Sequence, residues 1–135
     1  MLYAAQMREL LTPPKTIAIV GAKDKPGTAV NMVGQYLIDA GYTVIPVQPA
    51  QQEVWGLKSY PTLGDIPDAV DIVDVFRAPE HYAAHAREAA AMHPAPSVFW
   101  MPYAGADARH IAEEAGMQAV EDRCIKVTHY QLFKS

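Results

Sequence analysis

The chain has 135 residues, 11 Lys and Arg against 15 Asp and Glu, and a formal net charge of −4, a length that fits one domain of about 100–200 residues with enough chain to bury a core unaided by disulfides or metals. Half of its residues are hydrophobic and 19% are charged, which excludes a disordered chain, while the acidic balance argues against a nucleic-acid protein, whose field is normally basic. Cys124 is the only cysteine, so an intramolecular disulfide framework is excluded, and no apolar run of about 18 residues offers a membrane span.

In chain order, MLYAAQMRELL (1–11) carries Arg8 and Glu9 within its apolar stretch and reads as an amphipathic helix rather than a signal peptide, which implies a cytoplasmic protein. TIAIV (16–20) is a β-branched strand ending at Gly21. The spacing of Val30, Val33, Leu37 and Ile38 predicts a helix over 28–40, stopped at Gly41. YTVIPV (42–47) is the second strand. Residues 49–69, rich in Pro and Gly, read as a long connection with a short helix around 62–65. DIVDVF (71–76) is the third strand, followed by a helix over 79–92 with Pro79 at its first position. SVFWM (97–101), a helix over 107–115 capped by Asp107, and MQAVE (117–121) complete the order. Strands this short and apolar on both faces belong in a parallel sheet covered on both sides. The alternation predicts an α/β fold: a single Rossmann-like, doubly wound domain over 1–135, with a helix over 1–12 and a core over 13–130. Its sheet is five-stranded and mostly parallel, with helices on both faces. The ligand crevice of such a sheet lies at the carboxyl ends of its first three strands, here at Gly21-Ala22-Lys23, Pro46-Val47-Gln48 and Phe76-Arg77.

The first strand-to-helix turn reads GAKDKPGTA (21–29). Free amides and a helix dipole favour an anion at such a place, Gly21 allows close approach to the backbone, and Lys23 and Lys25 add positive charge. The same residues also suit a solvated turn with two surface lysines. Neither GxGxxG nor GxxxxGK[ST] is present: position 23 is Lys, position 26 is Pro, and Thr28-Ala29 follows Gly27. Nucleotide triphosphate hydrolysis is therefore not expected. After the second strand, where an NAD site usually places a carboxylate on the ribose, stands Gln48.

The segments IAIVGAKDKP (17–26), GYTVIPVQP (41–49), VWGLKSYPTLGDIP (54–67), VDIVDVFRAPE (70–80), FWM (99–101) and EDRCIK (121–126) resemble the small bacterial and archaeal CoA-binding proteins. These are similar to the N-terminal CoA-binding domain of the succinyl-CoA ligase α subunit. The resemblance implies a site for coenzyme A or an acyl-CoA in the crevice. Gly21, Ala22 and Lys23 correspond to the family's first loop, Pro46, Val47, Gln48 and Pro49 to its Pro-Val-Asn-Pro, and Phe76 and Arg77 to its Phe-Arg. The loop amides would hold the pyrophosphate, Val47 and its neighbours would line the adenine or ribose side, and Lys23, Lys25 or Arg77 would meet phosphate oxygens. The chain departs from the family pattern at Lys23, at Ala29-Val30-Asn31, at Gln48 and at Pro102-Tyr103-Ala104-Gly105. It also lacks the ligase's second domain with its phosphohistidine, so the ligase reaction is not expected of it alone.

Other residues carry weaker signals. Cys124 follows Asp122-Arg123, and a neighbouring Arg favours thiolate. A redox role, including a mixed disulfide with CoA, stands beside that of an inert buried thiol. His81 and His85 have the i, i+4 spacing of two zinc ligands, but Tyr82 stands in place of the Glu of HExxH and no third ligand follows, so a solvated helix face and no metal are expected. Asp74, inside an apolar strand, needs a water-exposed edge or a partner, a loop amide or Arg123, and a structural role suits it better than acid–base catalysis. Trp100 and Phe76 suit the core better than a ligand. No nucleophile, base and orienter set is evident, so no catalytic residue is assigned. The expected partner is coenzyme A, without nucleic acid or membrane, and with a homo-oligomer or another protein partner left open. Three alternatives remain: a dinucleotide-dependent oxidoreductase, a CoA-dependent transferase needing a partner, and a regulatory module responding to acyl-CoA.

Overall fold

The computed structural model describes residues 2–12 and 15–134. Met1 of the predicted first helix and residues 13 and 14 at the start of the predicted core lie outside them. Five helices, α1 (Leu2–Leu11), α2 (Ala29–Asp39), α3 (Tyr82–Ala90), α4 (Ala106–Glu114) and α5 (Ile125–Phe133), alternate with seven strands. The strands are β1 (Thr16–Val20), β2 (Thr43–Val47), β3 (Glu53–Val54), β4 (Leu57–Lys58), β5 (Ile72–Val75), β6 (Val98–Trp100) and β7 (Gln118–Val120). Five of them form one parallel sheet in the order β2-β1-β5-β6-β7. The Rossmann-like expectation is met. The order reverses between β1 and β5, so the switch point of the sheet lies at their carboxyl ends.

Strand alternation divides the core into two layers. Ala18, Val20, Val73, Val75 and Phe99 face α3 and α4. Ile17, Ile19, Ile72, Val98 and Trp100 face α1, α2 and α5. Both layers are sealed: Trp100, Phe99, Ile17, Ile19 and Leu37 are fully buried. Burying side chains of this kind contributes about 1.5–3 kcal/mol each.

Local chemistry explains the boundaries. Thr28 caps α2, its Oγ1 accepting the Asn31 amide at 3.3 Å, and Gly41, at φ +97°, turns the chain out of the helix. Pro79 opens a 3-10 turn (Pro79–His81) that delays α3 to Tyr82. Asp107 does not cap α4: Gly105 occupies that position, its amide donating to Glu121 Oε2 at 2.8 Å, while Arg109 pairs with Glu121 Oε1 at 2.6 Å. A carboxylate from beyond β7 therefore anchors the residue that opens α4, and no side chain caps the helix among the described residues. The connection after β2 holds the expected short 3-10 helix at Leu63–Asp65 and an unexpected antiparallel hairpin, β3–β4. The second unforeseen element is α5, which follows Cys124.

Candidate functional site

Two lobes of one crevice open at the switch point. The larger, about 800 Å³, lies between the ends of β1, β2 and β5 and is bounded by α3. The smaller, about 530 Å³, lies between the first turn of α2, Tyr82, Tyr103 and Cys124. Lys23, Phe76, Arg77 and Ala78 line both. Of the residues singled out in the sequence, Gly21, Ala22, Lys23, Val47, Gln48, Phe76 and Arg77 converge on the larger lobe. Pro46 and Lys25 do not. Pro46 is buried inside β2 opposite Ile19, and Lys25 is exposed, its carbonyl accepting from the Thr28 amide and hydroxyl.

The loop amides divide into two groups. Gly21 N–H donates to the Val47 carbonyl at 2.9 Å, and Ala22 N–H reaches the same oxygen at 3.4 Å. Those two amides tie β1 to β2. Among the described residues, no acceptor meets the amides of Lys23, Asp24, Ala29 or Val30, so these are the donors open to an anion. Gly21 itself is fixed by the protein. Its φ is +83°, and a Cβ there would overlap the Phe76 carbonyl oxygen. The close approach read from the sequence is thus, in this structure, an approach of β5 to the loop.

Gln48 is likewise occupied. Its side-chain amide donates to the Gln51 carbonyl and to Ser59 Oγ at 3.0 Å, and its oxygen accepts from the amides of Ala50 at 2.7 Å and Gln51 at 2.9 Å. Both donors and both lone pairs are used, so Gln48 shapes the turn that walls the lobe. The cations are in the opposite state: Lys23 and Arg77 are exposed and form no ion pair among the described residues.

Three further residues differ from their expected surroundings. Asp74 is 1% exposed and both its carboxyl oxygens lack a partner. Arg123, its proposed partner, lies instead over the Tyr3 ring at 4.7 Å. Burial holds the Asp74 carboxyl well above the usual carboxylate range. His81 and His85 do not share a helix face: His81 is the residue before α3, while His85 bonds Glu88 through Nδ1 at 2.7 Å. No group of three or more His, Cys, Asp or Glu among the described residues could hold a metal. Trp100 is core, its Nε1 donating to the Arg123 carbonyl at 2.9 Å, whereas Phe76 lines both lobes. Tyr82, His85 and Glu88 were not legible as site residues, because only the packing of α3 brings them to the crevice, and Tyr103 joins them from the loop after β6.

No helix among the described residues is long and apolar enough to cross a membrane. Comparison with known proteins gives one consistent result. A family model described as "CoA binding domain" matches residues 15–130. An uncharacterized protein of Bacillus subtilis, YneT, is 36% identical over 127 residues, 93% of either chain. A hypothetical protein from Pyrococcus horikoshii OT3 superposes with a TM-score of 0.90 at 37% identity, covering 96% of this chain and 91% of that one. The ADP-forming acetate–CoA ligase I of Archaeoglobus fulgidus is 34% identical over 64 residues, 47% of this chain but 9% of that enzyme. Its kinship with such ligases is therefore at superfamily level, and by the match over residues 15–130 the chain belongs to the CoA-binding domain family.

Proposed function

We propose that the protein binds coenzyme A or an acyl-CoA across the carboxyl edge of its sheet and is not catalytic on its own. The nucleotide occupies the larger lobe, and the pantetheine arm follows the smaller, more apolar one toward Cys124. The observation that carries this reading is the pair of unpaired cations, Lys23 and Arg77, which line both lobes beside the free amides at the start of α2. A ligand with a phosphate-rich middle and an extended arm at one end suits that arrangement. Arg77 can grip phosphate oxygens in two places at once, and Lys23 acts as a point charge. Gln48, with its side chain fully engaged and no carboxylate, gives no support to the ribose diol contact of an NAD enzyme.

Calorimetry and thermal melting with CoA, acetyl-CoA, NAD, NADP and ATP test the reading. At a hundredfold excess over Kd, a ligand that binds only the folded state adds about 2.7 kcal/mol, a rise on the order of 10 °C. CoA or acetyl-CoA is expected to give that rise and to slow alkylation of Cys124. Replacing both Lys23 and Arg77 with Ala is expected to weaken binding by about tenfold or more, the effect of losing two charge-assisted contacts. A larger shift with NAD than with any CoA species refutes the proposal. Gly21→Val is unsuitable as a probe, because its Cβ would displace the end of β5 whether or not a ligand binds.

A further inference from the structure

The α3 wall of the larger lobe carries two side chains to which the binding reading gives no task. His85 and Glu88, three residues apart, both line that lobe, and Nδ1 of His85 lies 2.7 Å from Glu88 Oε1. The His85 side chain is only 14% exposed, so the pair is held against the wall. A carboxylate can only accept, so Nδ1 carries the hydrogen of this bond. In the uncharged form of the ring Nε2 accepts, as does Oε2 of Glu88, and among the described residues neither atom meets a donor.

Of the other uncharged polar side chains lining the lobe, the exposed Gln51 keeps an amide that both donates and accepts, and the rest are engaged within the protein. Gln48 is saturated, and the Thr62 amide and hydroxyl both donate to Asp65 Oδ2, at 3.1 and 2.9 Å. Pro49 and Pro61 have no amide hydrogen. The lobe therefore combines a cationic mouth at Lys23 and Arg77 with one edge that only accepts. A ligand matching both has phosphates at one end and N–H donors at the other. Adenine offers its exocyclic amine as such a donor, whereas a 6-oxopurine presents an oxygen at the same place.

Resting on the coenzyme A reading above, we propose that His85 and Glu88 select the base: they accept the exocyclic amine of adenine and reject a 6-oxopurine. Opposing two acceptors leaves both unpaired on binding, which is the most effective way a polar site discriminates between near-isosteres.

The test compares ADP with IDP by calorimetry, since the two share ribose and phosphates, with CoA titrated alongside. ADP is expected to bind about tenfold or more tightly than IDP. His85→Phe, which keeps the ring shape without its nitrogens, and Glu88→Gln, which supplies a donor, are each expected to bring the ratio toward one. Both variants must melt as cooperatively as the parent. ADP that fails to bind, or binds no more tightly than IDP, overturns the base-selecting role, and so does a preference that survives both variants. If CoA binds while ADP and IDP are equal, the coenzyme reading stands and only this inference falls. If ADP is preferred but CoA does not bind, the coenzyme reading falls and the base-selecting pair stands.

Discussion

Asp74 lies on β5 between Ile19 of β1 and Trp100 of β6, on the sheet face covered by α1, α2 and α5. Its two oxygens have no donor among the described residues, and desolvation alone raises its affinity for a proton. In the unfolded chain the same carboxyl ionises in the ordinary range. As pH rises above that range the unfolded state releases its proton first, so stability from this group is complete in acid and falls as pH climbs toward the raised folded value. The slope is about 1.4 kcal/mol per pH unit across that window. Asp74→Asn removes the titration while keeping the shape. The melting temperature of the variant is expected to gain on the parent between pH 4.5 and pH 7.5, measured by thermal unfolding in matched buffers. A difference that stays constant over this range would mean that Asp74 has a partner. The sequence shows the anomaly, a carboxyl in an apolar strand, but not its resolution. The neighbouring charge, Arg123, is drawn away by the Tyr3 ring of α1, a contact between residues 120 positions apart.

At the scale of elements, the five main strands and the helices around residues 28–40, 79–92 and 107–115 are legible from their apolar period, helped by the Thr28 cap and Gly41 stop at α2 and by Gly116 after α4, although Asp107 is not the cap of α4. The hairpin β3–β4 is not, because its turn breaks the usual turn chemistry. Trp55 and Gly56 both have positive φ, +57° and +73°, as a type I′ turn requires, yet Asn or Gly is the normal first residue there. Trp55 holds that conformation because its Nε1 donates to Asn31 Oδ1 at 2.8 Å and its ring lies on Gly34 of α2. Asn31, a departure from the resembled family's pattern, thus anchors the hairpin. Replacing an interior helix Gly with Ala ordinarily stabilises by about 1 kcal/mol. Here the added Cβ would overlap the Trp55 ring, so Gly34→Ala is expected to destabilise by about 1–3 kcal/mol, seen as a lower urea midpoint. In a Trp55→Ala background the same substitution is expected to become stabilising. Loss of stability in both backgrounds would place the cause elsewhere than in the ring.

Over the whole molecule, the chemistry of the crevice was more legible than its walls. The loop residues that reach it follow strand ends and can be found by topology, whereas His85, Glu88, Tyr82 and Tyr103 arrive through packing. The layer over α2 was also hidden, because Ile125, Val127 and Thr128 are β-branched and weaken the helical signal of α5, and Cys124 gives no side-chain cap. Tertiary contacts supply what propensity does not. His129 of α5 bonds the Tyr36 hydroxyl of α2 at 2.8 Å and packs edge-on to Tyr42, whose own hydroxyl donates to the Leu11 carbonyl at the end of α1 at 2.7 Å. The imidazole therefore joins α5 to α2 directly and, through Tyr42, to the end of α1. Burial, and secondarily Lys134, lowers the proton affinity of His129. On acidification the unfolded chain takes up this proton first, so the contribution is present above the ordinary imidazole range and is lost as pH falls through the lower folded value. This slope opposes that of Asp74, so it is best measured in the Asp74→Asn background. There the parent imidazole is expected to lose stability between pH 7 and pH 5, and His129→Gln, which can still bond Tyr36, is expected to flatten that loss. Urea midpoints at the two pH values decide the matter: an equal loss with and without the imidazole would show that α5 is held independently of its charge state.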